Sequence, residues 1–220
     1  MSGIRVALID SDEMVRSGRS LLIQSTPDLS VVFESADPES ALETIADYLV
    51  DVLVIDSRVP GLSISEYLQK ISGVLSQVGN QVSILVTSPF ESSDLALASY
   101  LAGAEGIASQ DRGAEFLLRQ IRSLASGSNL PGRDALESLL DASGSNVTIN
   151  QALSIARERM DASQAAVIKG LVQGYSDAQL AKDLGLTKYR ITKFIETLCE
   201  SLGFRTRIQL ALAILVLERA

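Results

Sequence analysis

The sequence predicts an α/β domain built on a parallel sheet, followed by an all-α domain. Three observations carry this expectation. Across residues 1–127 short β-branched apolar runs alternate with amphipathic helical patterns, the signature of βα units around a parallel sheet. The stretch SGSNLPGR, Ser126 to Arg133, gathers Gly, Ser, Asn and Pro and reads as a boundary. From Ser163 onward the periodicity is wholly helical.

In chain order, five strands are expected at Ile4 to Ile9, Val31 to Glu34, Val52 to Ile55, Ser83 to Val86 and Gly106 to Ala108. Helices are expected between and after them, at Asp12 to Gln24, Pro38 to Leu49, Ile64 to Leu75, Ser92 to Ala102 and Ala114 to Ala125. Five such units fit the flavodoxin-like doubly wound (βα)5 fold, whose ligands bind beyond the carboxyl ends of the strands where the strand order reverses. Residues 128–159 form a linker with two amphipathic segments, Asp134 to Ala142 and Ile149 to Arg159, separated by Ser143-Gly144-Ser145-Asn146. Residues 160–220 carry four helical patterns, Ser163 to Gln173, Ser176 to Leu184, Lys188 to Ser201 and Arg207 to Glu218. Gly174, Gly185 and Gly203 stand at the ends of the first three, where glycine stops a helix.

With 220 residues the chain has room for two modest domains. No apolar run approaches the roughly 18 to 20 residues a membrane helix needs, and Met-Ser-Gly-Ile-Arg-Val leads into a strand without a signal-peptide layout, so a cytoplasmic location with no membrane partner is expected. The single cysteine, Cys199, cannot form an intramolecular disulfide, and with no histidine and no second cysteine a structural zinc site is not expected. The net charge of −8 argues against indiscriminate coating of nucleic acid, but it is unevenly spread. Residues 1–127 hold 8 Lys and Arg against 17 Asp and Glu, a net of −9, whereas residues 160–220 hold 8 against 6, a net of +2.

Acidic residues gather at the strand ends: Asp10 and Asp12 after the first strand, Asp56 after the third. On neighbouring central strands these carboxylates would converge into an acidic pocket suited to a hard cation such as Mg²⁺, with Asp10 and Asp56 as its ligands. They are equally the residue types of turns and helix N-caps, and spacing alone leaves both readings open.

The stretch Asp56-Ser57-Arg58-Val59-Pro60-Gly61, together with Ile4-Arg5-Val6-Ala7-Leu8-Ile9-Asp10, resembles a receiver domain of a response regulator. The resemblance spans about residues 3–125 and extends to Thr87 and to Ala102-Gly103-Ala104-Glu105-Gly106. It implies that Asp56 is a phosphoacceptor for a histidine kinase, assisted by Mg²⁺, with a threonine and a lysine contacting the phosphoryl oxygens. At three positions the chain departs from that pattern. The family's second acid after the first strand is Ser11, its lysine is Gln110, and its aromatic switch residue is Ile107. Replacing the lysine removes the positive charge that would stabilise a phosphorylated Asp56. The expectation is an atypical receiver that keeps the fold and Asp56 without efficient switching by phosphorylation, acting instead as a dimerisation or ligand-sensing module. Because Asp56, Thr87 and Pro60 are still present, phosphorylation by a histidine kinase stays open, as does Mg²⁺, whose binding is weakened by Ser11.

Further on, Gly174-Tyr175-Ser176-Asp177-Ala178-Gln179-Leu180-Ala181, Leu184-Gly185-Leu186-Thr187 and Leu202-Gly203-Phe204-Arg205-Thr206-Arg207 resemble the helix-turn-helix domain of the LuxR, NarL and FixJ regulators. The resemblance implies double-stranded DNA as partner, with the helix from Lys188 projecting into a major groove. Leu180, Leu184, Leu186, Ile191, Ile195, Leu198 and Leu202 would form the shared core. Thr187, Lys188, Tyr189, Arg190, Thr192 and Lys193 would face DNA, the cations reaching phosphates or guanine edges. The family's lysines at the positions of Tyr189 and Thr192 are missing, and Glu196 and Glu200 add repulsion toward phosphates, which points to weaker or more selective binding aided by a dimer. The last helix is too apolar to stand on the surface, so it either pairs with a second copy or packs within its own chain. The competing function is a protein-interaction regulator that binds a partner regulator or kinase instead of DNA. An enzyme is not expected: there is no histidine, no activated nucleophile pair and no Gly-rich phosphate loop.

Overall fold

The structure, a computed structural model, describes residues 3–77, 82–127, 130–143 and 160–219. The chain divides into two compact units, Met1–Ser126 and Gly127–Ala220.

The first unit runs β1 (Ile4–Ile9), α1 (Glu13–Gln24), β2 (Leu29–Ser35), α2 (Pro38–Thr44), β3 (Val52–Asp56), α3 (Ile64–Gln77), β4 (Ser83–Ser88), α4 (Ser93–Leu101), β5 (Gly106–Ser109) and α5 (Ala114–Ala125). All strand pairs are parallel, in the order β2-β1-β3-β4-β5. This is the flavodoxin-like arrangement, with its reversal of strand order at β1 and β3. Because side chains alternate along a strand, each strand serves two cores. Ala7, Ile9, Leu53, Ile55, Ile84 and Val86 pack with Tyr67, Leu68 and Ile71 of α3. Val6, Leu8, Val52, Val54, Leu85 and Ala108 pack with Ile23 of α1 and Leu117, Leu118 and Ile121 of α5.

The same alternation decides where the strand ends point. Ile9 pairs with Ile55, Asp56 with Thr87, and Thr87 with Ala108. Asp10, Asp56, Thr87 and Ala108 therefore form one row across the carboxyl edge of the sheet, on the face covered by α1 and α5.

Most expected elements are present with their ends moved by one to three residues, but the second helix is not as long as its periodicity suggests. It stops at Thr44, and Ile45–Asp47 tighten into a 3-10 turn. Thr44 and Ile45 are consecutive β-branched residues, which weaken a helix, and Ile45 is drawn fully into the core while Leu49 stays exposed.

The second unit contains α6 (Arg133–Ser143), α7 (Ala162–Val172), α8 (Asp177–Leu184), α9 (Lys188–Leu202) and α10 (Arg207–Arg219). Sequence explains the boundaries. Asp161 with Gln164, and Ser176 with Gln179, form capping boxes at the starts of α7 and α8. Gly185, with φ 63°, ends α8 in the left-handed conformation, and Thr187 caps α9 two residues later. Leu180, Ile191, Ile195, Leu198 and Leu202 are buried, whereas Leu184 and Leu186, also expected in the core, are half-buried beside the turn.

Helix α10 is covered within its own unit: Ile208 and all residues from Leu210 to Leu215 are buried. Helix α6, which lies in the segment read as linker, contributes to this packing. Its Leu136 and Leu140 are buried, Arg133 bonds Glu218 at 2.8 Å, and Arg219 bonds Asp141 at 2.8 Å. Burial of α10 therefore demands no second chain. The segment Ile149 to Arg159, expected to be helical, lies outside the described residues. Among those residues no helix is long and apolar enough to cross a membrane.

Candidate functional site

Asp10 and Asp56 are buried at the ends of β1 and β3, each 3% exposed. The pocket they form is not acidic. Arg19 of α1, itself 8% exposed, donates from Nη1 to Asp10 Oδ2 and from Nη2 to Asp56 Oδ2 at 3.3 Å. Arg58 donates from Nε to Asp56 Oδ1 at 2.8 Å, and its backbone N–H reaches the same oxygen at 3.0 Å. Asp10 Oδ1 accepts the Asp12 amide at 2.9 Å. All four carboxylate oxygens are thus engaged, and two carboxylates face two guanidinium groups.

Electrostatics follow from this geometry. Burying a charge costs several kcal/mol unless it is paired and hydrogen-bonded. Burial raises the Asp10 carboxyl above the ordinary aspartate range, against the Asp12 amide and the charge of Arg19. For Asp56 burial acts in the same sense, but the hydrogen bonds from Arg58 and the charges of Arg19 and Arg58 outweigh it and hold the group below that range. Asp56 is a stabilised carboxylate with its lone pairs committed.

Mg²⁺ does not fit these residues. The guanidinium of Arg19 takes the position between the carboxylates that a hard cation would need, and it adds like charge. No group of three or more His, Cys, Asp and Glu among the described residues could hold a metal. Asp12, expected in the pocket, is exposed and caps α1 by accepting the Val15 amide at 3.1 Å. Ser11 is exposed as well.

The remaining switch positions separate. Thr87 is buried beside Asp56, its hydroxyl donating to Ile55 O at 3.3 Å. Ile107 packs half-buried into the core under α3. Gln110 is exposed and opens the 3-10 turn Gln110–Arg112. Sequence reasoning missed Arg19 and Arg58. Arg19 could have been found: it follows Val15 by four residues and precedes Ile23 by four, a cation on the buried stripe of a helix.

In the second unit Lys188, Tyr189, Arg190 and Lys193 are exposed on the first turns of α9, with Tyr189 75% exposed. Tyr189, Arg190 and Lys193 share one face. That face turns acidic along the helix, at Glu196 and Glu200, and Lys193 Nζ lies 3.6 Å from Glu196. Thr187 is committed to capping, accepting the Arg190 amide at 3.3 Å. Thr192 points inward, donating to Asp177 Oδ2 at 2.5 Å, which removes it from the exposed set.

Asp177, another residue that sequence reasoning passed over, is 3% exposed at the start of α8. It also receives Arg207 Nη1 at 2.7 Å and Nη2 at 3.2 Å, so one carboxylate ties α8 to α9 and α10. Burial pushes its carboxyl up, but the bonds from Arg207 and Thr192 prevail and lower it. Cys199 is buried in the same domain, and burial raises its thiol to about 11, so it is a packing residue without thiolate reactivity.

The chain joins a parallel five-stranded flavodoxin-like unit to a helical unit with a capped helix-turn-helix, and along nearly its whole length it is similar to response regulators of the NarL, NarP and UhpA type. No protein-family model matches it. The chain is 28% identical to the nitrate/nitrite response regulator protein NarP of Escherichia coli (strain K12), over 98% of this chain and 95% of that protein. It is 26% identical to the DNA-binding transcriptional activator DevR/DosR of Mycobacterium tuberculosis, over 99% of this chain and 96% of the relative. Among solved structures, a two-component response regulator of the LuxR family from Aurantimonas sp. SI85-9A1 superposes with a TM-score of 0.55 at 25% identity, over 66% of this chain and 100% of the other.

Proposed function

We propose that this protein is a DNA-binding transcriptional regulator whose receiver domain is not switched by conventional phosphorylation of Asp56. The observation that carries the receiver reading is the Arg19 guanidinium bonded to both Asp10 and Asp56. A phosphoryl acceptor needs a free carboxylate oxygen and a cation to neutralise the incoming group. Here the cation is supplied by the chain, and the oxygens are already engaged. The protein acts by binding, in the cytoplasm, with no catalysis of its own and without dependence on a histidine kinase.

Output rests on the first turns of α9. Lys188, Arg190 and Lys193 supply phosphate or guanine contacts, Tyr189 adds an exposed ring, and Thr187 holds the helix start in position. So few cations give modest affinity per domain, and a homodimer on a two-part site raises it.

The test is binding of the purified protein to fragments of its own genome. Specific binding should survive Asp56→Asn and ignore a phosphodonor with Mg²⁺, and should fall in Arg190→Ala/Lys193→Ala, with the slope of log K against log salt shallower by about 2. Phosphodonor-dependent binding would defeat the receiver reading. The acidic second half of α9 favours one alternative, docking of a basic protein partner, and absence of specific DNA binding under any condition would turn the assignment to it.

A further inference from the structure

We infer that the receiver domain holds a binding site for a small, uncharged, mainly apolar molecule, in a cavity between α1, α5 and the ends of β4 and β5. The cavity has a volume of about 260 Å³, room for on the order of a dozen non-hydrogen atoms. Its walls are Val15 and Leu22 of α1 and Leu117 of α5, with buried Thr87 and Arg19 at the inner end and exposed Gln110 at the rim.

Charge selects the ligand class. Arg19 is the sole charged side chain of the lining among the described residues, and it is bonded to Asp10 and Asp56. With Arg58 the cluster balances two negative against two positive groups, so its field offers little to an ion. A carboxylate or ammonium would lose its hydration against apolar walls for no net countercharge. A neutral molecule would bury its body on Val15, Leu22 and Leu117 and place a single polar end at Thr87 or Gln110.

Gly18 is a second, independent observation. It occupies the middle of α1, where glycine is a poor choice for a helix. Its φ is not positive, and a Cβ added there would meet nothing within 4 Å, so neither backbone conformation nor packing calls for glycine. Gly18 lines the cavity, and any larger residue would project into open space on that wall. Its absence of a side chain keeps the cavity wide.

The site stands apart from the DNA reading, and its test needs no DNA. Benzyl alcohol is the probe, and benzoate is its charged counterpart of similar size. In the full-length protein, benzyl alcohol should shift the methyl resonances of Val15, Leu22 and Leu117 saturably, with a Kd on the order of 1 mM, as eight non-hydrogen atoms permit. Benzoate should produce no saturable shift. Gly18→Leu should raise Tm, since it removes a mid-helix glycine and fills the cavity, while weakening benzyl alcohol at least about tenfold. Absence of a saturable shift, unchanged binding in Gly18→Leu, or tighter binding of benzoate would each overturn the assignment.

Discussion

Arg19 changes what the carboxyl edge of the sheet can do. Read as letters, Asp10 and Asp56 announce a cation pocket; the side chain that answers them comes from the next helix, nine positions after Asp10. Removing it leaves two buried carboxylates without their shared partner, at a cost of about 3–5 kcal/mol. Arg19→Ala is therefore expected to lower Tm at neutral pH and to gain a Mg²⁺-dependent rise in Tm that the parent protein lacks, both read by thermal melts with and without the ion. A rise of the same size in the parent would contradict the substitution of guanidinium for metal. The aspartates were legible in the sequence because strand ends are, and Arg19 left a trace as a cation on a buried helical stripe; the role of Arg58 and the bonding of both arginines to these carboxylates were not legible, because only the fold brings them together.

Asp177 makes a parallel case in the second unit. Its folded-state carboxyl is lowered from 3.8, so its contribution is fully present above that value and is lost as pH falls through the folded value. Acid titration of stability below about pH 4 should thus be shallower in Asp177→Asn than in the parent protein. At neutral pH the variant should be less stable by about 2–3 kcal/mol, since Arg207 loses its charge partner.

Among elements, the strands and capped helices were readable from apolar period and cap chemistry: Asp12 before α1, Ser92 before α4, Ser176 and Thr187 around the turn. The second helix was overread because Ile45 satisfies the helical period while serving a tighter turn. Long-range packing was unreadable in the same way. Gly174 looks like an ordinary helix stop, with φ 82°, yet a Cβ there would lie 2.8 Å from Gly132 Cα and 3.3 Å from Pro131 O. It lets the lead-in to α6 run against the α7–α8 turn. Gly174→Ala should therefore cost about 2–3 kcal/mol, combining left-handed strain with a backbone clash, as measured by urea unfolding. A loss below about 1 kcal/mol would mean that the approach of residues 131–132 is not maintained in solution.

At the scale of the whole molecule, the composition was informative about division of labour and silent about boundaries. Net charge falls to −9 over residues 1–127 and rises to +2 over residues 160–220, which separates the acidic receiver from the part offering cations to phosphates. The Gly- and Pro-containing stretch at Ser126 to Arg133 marks where one compact unit gives way to the other. It does not reveal that α6, read as part of a linker, joins the helical unit, because an amphipathic segment carries no label for the surface it will cover. Its partner, α10, follows more than sixty residues later.

The pairing of Arg133 with Glu218 and of Asp141 with Arg219 makes the helical unit a closed ring in which the first helix shuts against the last. A polypeptide cut to begin at Met160 would keep every exposed cation on the first turns of α9 and lose Leu136 and Leu140, baring an oily flank of α10. Such a fragment should precipitate or self-associate in sedimentation experiments, while one beginning at Gly127 should stay dispersed and melt as a single cooperative body. Equal solubility of the two would mean that α6 shields nothing. For anyone dissecting the molecule, the profitable incision lies ahead of α6.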